Sequence, residues 1–173
     1  MLKILITGPE SSGKTQLAQT LARRFHSPWV PEFARTYLHA LEGDYEEEDL
    51  LKILNGQLRL QQQHHSSPLL FCDTGPEVIY VWSKVKFGQV DPFIEASLRK
   101  YHYTLTLLCT PDLAWEPDPL REAPLRADRE QYFEMYRKTL QKFNRPYLVI
   151  SGQGEQRANI AVSAIQQLLN TDK

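Results

Sequence analysis

The octapeptide GPESSGKT, positions 8–15, follows directly on the apolar run LKILI. Gly8, Gly13, Lys14 and Thr15 satisfy the spacing G-x-x-x-x-G-K-[ST], and each residue type answers a chemical need. The glycines let the backbone wrap tightly, so that successive N–H groups converge on an anion. A helix starting near Gly13 adds the positive end of its dipole. Lys14 brings a point charge to the β and γ phosphates, and Thr15 offers a hydroxyl to Mg²⁺. Pro9, Glu10, Ser11, Ser12 and Gln16 complete the expected ATP cradle. The plainer reading is a Gly-Ser turn without a ligand. A buried-strand run before the motif and an amphipathic helix after it favour the cradle.

Such a cradle needs an acidic corner near the metal. The run PLLFCD ends in Asp73. A buried strand delivers its last residue to the edge where the cradle sits, so Asp73 is expected beside Thr15 at Mg²⁺; otherwise it is a turn aspartate. Phosphoryl transfer also needs a carboxylate to accept or orient the acceptor's proton. Glu32, in VPEFARTY, follows a weak second strand and should reach the same edge. Arg35, one helical turn on, could hold it ionised or bind phosphate. Equally, Glu32 could be a helix-start carboxylate paired with Arg35. The base therefore stays open between Glu32 and Asp73. Arg121, Arg126 and Arg129 lie on a Pro-rich stretch, 110–129, that reads as a mobile lid. There they could neutralise charge on the transferring group, with Arg129 on the nucleotide side; otherwise they are solvated surface arginines. Trp29, Tyr37, Trp82 and Trp115 could stack on a flat base. Tyr37 and Trp115 are the favoured substrate contacts, whereas Trp82, on an apolar helix face, reads as core packing.

The elements that must position these residues can be read from periodicity. Continuous apolar runs at 2–6, 68–72, 103–109 and 146–150 are strands buried on both faces of a parallel sheet. A weaker fifth, SPWVP at 27–31, is demoted to an edge by its two prolines. One-face apolar spacing predicts helices over 14–25, 46–65, 76–87, 91–102, 126–143 and 155–169. EGDYEEED, 42–49, reads as a solvated acidic loop running into a helix N-terminus. Alternation of strand and helix makes a doubly wound α/β layer fold. The expected organisation is one domain over 1–173, with the cradle at 8–15, an acceptor-side segment at 29–41 and a lid at about 111–129.

Composition narrows the function classes. The net charge of −1 gives no global basic field for nucleic acid. No run spans a bilayer and no leader precedes the first strand, so the expectation is a cytoplasmic protein acting on a small molecule. Cys72 and Cys109 each end an apolar run and read as buried thiols. No N-K-x-D guanine motif is present, and ring-forming ATPases need a longer chain. The size fits a small-metabolite kinase. No pattern speaks to oligomeric state.

GPESSGKT, VPEFARTY, FCDTG, FGQVDPFI and PDLAWEPDPLRE, in that order over nearly the whole chain, resemble the ribosylnicotinamide kinase domain of the NadR type. The resemblance implies a P-loop NTPase fold like that of nucleoside and nucleotide kinases, with a five-stranded parallel sheet. It implies phosphorylation of nicotinamide riboside to nicotinamide mononucleotide with Mg²⁺ and ATP, in NAD salvage. The chain begins at the cradle strand, so neither adenylyltransferase nor repressor activity is expected of it. Where that family commonly reads D-T-D, this chain reads Asp73-Thr74-Gly75. Glu77 is the nearest further carboxylate, and in a helix it would face elsewhere. Two other readings remain. One is a different nucleoside or nucleotide kinase, for which Arg35 and Arg59 could bind an acceptor phosphate. The other is an ATP-binding regulatory module without transfer, suggested by Gly75. SGQGEQR, 151–157, is the expected adenine side.

Overall fold

The computed structural model describes residues 1–41 and 44–171, with backbone alone at Thr171. In chain order the elements are β1 Leu2–Thr7, α1 Lys14–Phe25, β2 Trp29–Val30, α2 Phe33–Ala40, α3 Glu47–Gln62 and β3 Leu69–Asp73. There follow α4 Pro76–Phe87, α5 Pro92–Lys100, β4 Leu105–Cys109, α6 Arg126–Lys142, β5 Tyr147–Ile150 and α7 Glu155–Thr171. The five strands form one parallel sheet in the order β2-β3-β1-β4-β5.

Alternation along the strands builds the three layers. Ile4, Ile6, Leu69, Phe71, Leu107 and Cys109 face α1 and α7. Leu5, Leu70 and Cys72 point the other way, as does Leu108, which packs against α4 and α6. Both faces are therefore covered, which is why these strands read as unbroken apolar runs. Cys72 and Cys109 are buried free thiols, pushed by burial up to about 12 and about 11. No helix among the described residues is long and apolar enough to cross a membrane.

The expected strands are all present, and SPWVP contributes only two paired residues, at the β2 edge. Helix α4 matches its expected span residue for residue. Helix α2 is absent from the helices read by periodicity, although it matches the reading of Glu32 as a helix-start carboxylate paired with Arg35. Its eight residues are too few to show a period, and it starts after Pro31 and Glu32. The acidic run enters α3, with Glu47, Glu48 and Asp49 in the first turn. Asp49 is not solvated as expected: it is buried and accepts from the backbone N–H of Glu46 and from the hydroxyl of Tyr37. Glu42 and Gly43 of that run lie outside the described residues.

Candidate active site

The centre of the sheet sets up the site. β1 lies between β3 and β4, so its exit loop passes over the end of β4. Gly8 has φ +138°, and a Cβ there would lie 2.5 Å from the carbonyl oxygen of Cys109. Conformation and space both demand glycine. The loop then turns into α1, whose N-terminus at Gly13 carries no side-chain cap and leaves its N–H groups to a ligand. Ser12 Oγ and Lys14 Nζ both donate to the carbonyl of Pro9, at 2.7 and 2.8 Å.

Because β3 pairs directly with β1, Asp73 is aligned with Ile6 and lies under the start of α1. Thr15 Oγ1 donates to Asp73 Oδ2 at 2.6 Å. Asp73 is fully buried and its Oδ1 has no hydrogen-bond partner. Burial raises its pKa above the ordinary aspartate value, opposed by the Thr15 hydrogen bond and the charge of Lys14. The Thr15 hydroxyl and the Asp73 carboxylate, with its orphaned Oδ1, are hard oxygen donors of the kind Mg²⁺ takes, so the residues fit that ion.

Glu32 stands at the N-cap of α2 with its side chain only 14% exposed and Arg35 Nε 3.8 Å away. Burial raises it above the usual carboxylate range; Lys14 opposes the shift and the like charge of Asp73 adds to it. Gln57 holds this segment in place. Its Oε1 accepts from the Phe33 N–H at 2.7 Å, and its Nε2 donates to the carbonyls of Pro31 and Asp73. The loop between β2 and α2 is thereby tied to the end of β3 by one buried amide.

All nine residues of the cradle from Gly8 to Gln16, with Glu32, Arg35 and Arg121, line one cavity of about 730 Å³. Asp73 lies beneath the cradle rather than in the cavity wall, and four further sequence candidates lie elsewhere. The Tyr37 hydroxyl is engaged by Asp49. Trp115 points its indole N–H at Glu10, 3.0 Å away, rather than into the cavity. Arg126 and Arg129 belong to the first turns of α6, not to a free lid. Arg126 is exposed and pairs with Glu130, whereas Arg129 is buried and donates to the carbonyl of Leu113. Arg121 alone of the three reaches the cavity.

The apolar wall was legible as a pattern but not as a function. Val78, Val81, Trp82 and Val85 form one stripe along α4 and line the cavity, with Tyr45, Tyr132 and Tyr136. Trp82 thus packs on the core and faces the cavity as well, which corrects its reading as core alone. Gln153, from the expected adenine segment, also lines it. The departure at Gly75 has a packing cause. A Cβ there would lie 2.8 Å from Tyr103 Oη and 2.9 Å from Glu77 Oε2. Glu77 is absent from the cavity wall: it is fully buried, with its carboxylate beside Gly75, and paired with Arg145 at 3.7 Å.

The P-loop spacing at 8–15, the buried carboxylate of Glu32 and Arg121 from the 113–123 segment thus share one cavity. The chain belongs to the AAA domain family, whose model matches residues 3–157. It is 26% identical over 147 residues to the trifunctional NAD biosynthesis/regulator protein NadR of Escherichia coli (strain K12), covering 82% of this chain and 36% of that protein. The fold superposes on the crystal structure of NadR protein in complex with NR with a TM-score of 0.84 at 23% identity, over 96% of this chain and 51% of that one. A deoxyadenosine kinase from M. mycoides superposes at 0.58 and 12% identity, over 96% of this chain and all of that one. The chain therefore spans about a third of the curated relative it matches.

Proposed function

We propose that the protein transfers the γ-phosphoryl group of ATP to the 5′-hydroxyl of nicotinamide riboside, giving nicotinamide mononucleotide and ADP. The observation that carries a kinase reading is that Lys14 and Glu32, from separate elements, line the same cavity as the cradle. The acceptor's identity is supported by the likeness to NadR proteins, one of them described in complex with NR.

The backbone N–H groups of the cradle and Lys14 fix the β and γ phosphates. Thr15 and Asp73 would hold Mg²⁺, which neutralises charge developing on the phosphates. The acceptor oxygen attacks the γ phosphorus in line as the bond to the bridging oxygen of ADP breaks. Glu32 takes the hydroxyl proton and Arg121 neutralises charge on the equatorial oxygens. Asp73 suits the metal rather than the base, because it is sealed under Thr15 and absent from the cavity wall. The wall itself favours a nucleoside over a nucleotide. Five carboxylates (Glu10, Glu32, Asp44, Glu116 and Glu122) face four basic groups (Lys14, Arg35, Lys86 and Arg121), and Arg35 is already held by Asp118 at 2.8 Å. Arg59 does not line the cavity. Trp82 and Tyr132 line the cavity and supply aromatic surface of the kind that attracts a flat, cationic ring such as a pyridinium. We place this reaction in the cytoplasm, where ATP is available and the two thiols stay reduced.

Purified protein with Mg-ATP is expected to convert nicotinamide riboside to the mononucleotide, followed by product chromatography over a nucleoside panel. Turnover of a deoxynucleoside with nicotinamide riboside untouched would sink the acceptor assignment and leave the kinase reading standing. Glu32→Gln is expected to lower kcat by about a hundredfold or more. Since Glu32 must be ionised to act and burial raises it, wild-type kcat should fall on the acid side at a pH above the ordinary carboxylate range. A pH profile in which that acid limb persists unchanged in the variant would move the base elsewhere.

A further inference from the structure

Glu10 sits inside an anion-binding loop, where a carboxylate opposes the charge the loop is built to receive. Its partners explain its presence. Glu10 Oε1 accepts from Trp115 Nε1 at 3.0 Å and from the Ala123 N–H at 2.7 Å, and Oε2 accepts from the Glu122 N–H at 2.9 Å. All three donors lie on the segment over the cavity, more than a hundred residues away in sequence. Beside them, Ser11 Oγ accepts from the Glu116 N–H at 3.3 Å. Across the cavity the same segment is tied to α2 by Asp118 and Arg35, at 2.8 Å. Arg121, between these two anchors, is held at the cavity wall.

We propose that Glu10 is a positioning residue that latches the 113–123 segment onto the cradle, so that nucleotide binding and lid closure reinforce one another. With the segment closed, three N–H donors neutralise the carboxylate. With it open, Glu10 stands bare beside bound phosphates and repels them. A triphosphate therefore favours the closed segment through its differential interaction with the two states, and closure strengthens triphosphate binding by the same factor. The latch rests on the cradle's reading as an ATP site and is indifferent to the identity of the acceptor.

Limited trypsin digestion, reading cleavage after Arg121, tests it on the whole chain. Without nucleotide, Glu10→Ala should be cut at least about tenfold faster than wild type, the equivalent of one lost charge-assisted hydrogen bond. A non-hydrolysable ATP analogue should slow the cut in wild type and fail to do so in Glu10→Ala. Glu10→Gln, which keeps an acceptor oxygen, should recover part of that protection. Trp115→Phe removes one donor from the lid side and should fall between them, keeping the question answerable if Glu10→Ala folds poorly. Glu10→Ala should also raise ATP hydrolysis relative to acceptor phosphorylation, because water enters. Equal cleavage rates and equal protection in wild type, Glu10→Ala and Trp115→Phe would overturn the latch. Cutting that is faster in Glu10→Ala, with no effect of the analogue on any variant, upholds the contact and overturns its coupling to nucleotide if calorimetry shows the analogue bound, and refutes the ATP site if it shows none bound.

Discussion

Replacing Lys14 by alanine is expected to lower kcat for phosphoryl transfer by about 10²- to 10³-fold or more while leaving the fold intact. The asymmetry follows from where Lys14 spends its interactions. Its ammonium has one hydrogen bond, to the carbonyl of Pro9, and it lies at the first position of α1 facing the cavity rather than the core. The charge is therefore free to follow the γ-phosphoryl group as it leaves ADP, and little packing is lost without it. Steady-state kinetics alongside thermal melts would check both halves. Near-normal turnover, or a collapse of the melting temperature, would mean that the cradle works differently.

The second large effect concerns stability. Arg145→Leu should cost about 3–5 kcal/mol at pH 8, the usual penalty for leaving a buried charge without its partner. That corresponds to a fall in Tm of roughly 6–20 °C for a chain of this size. Arg145 and Glu77 are both buried behind the Asp73-Thr74-Gly75 turn, 3.7 Å apart. Burial pushes Glu77 up to about 7 despite the arginine. A carboxyl raised in the folded state contributes stability below its unfolded value, near 4.5, and loses it as pH rises through about 7. The Arg145→Leu penalty should therefore shrink at pH 5, where Glu77 is neutral. Adding Glu77→Leu should restore much of the loss at pH 8, since a well-packed apolar pair can replace a buried ion pair. Urea titrations of both variants at the two pH values would decide it. A penalty independent of pH would show that Arg145 acts through its contact with the Leu98 carbonyl alone.

Much of this architecture was legible in the sequence because it is local. The buried strands show as apolar runs, α4 shows as a period with Pro76 at its first position, and the cradle shows as fixed spacing ending at Thr15. Pairing of Thr15 with Asp73 followed from one rule about strand ends. What escaped depends on contacts between distant residues. Glu10 was read as part of the cradle, and nothing near it in sequence tells that its carboxylate is spent on Trp115, Glu122 and Ala123. Arg129 looked like a lid cation, but α6 begins at Arg126 and turns Arg129 inward. The Val78–Trp82–Val85 stripe is apolar whether it meets a core or a cavity, so periodicity cannot separate the two. The missing second carboxylate at Gly75 became intelligible only once Tyr103 and Glu77 were seen to fill that space.

The unequal anchoring of the two strands that carry carboxylates has a consequence for how such a protein can diverge. Asp73 stands on β3, aligned with β1 through five residue pairs, whereas Glu32 follows β2, which meets the sheet at Trp29 and Val30 only. On the proposed mechanism, the phosphate side is thus built into the most interlocked part of the sheet, and the proposed acceptor side hangs from its margin, steadied by Gln57. If α2 and its flanks hold the acceptor as proposed, substitutions there are expected to redirect the choice of acceptor without rebuilding the cradle. On that reading, the same scaffold would pass from one small-molecule acceptor to another by changes confined to that margin.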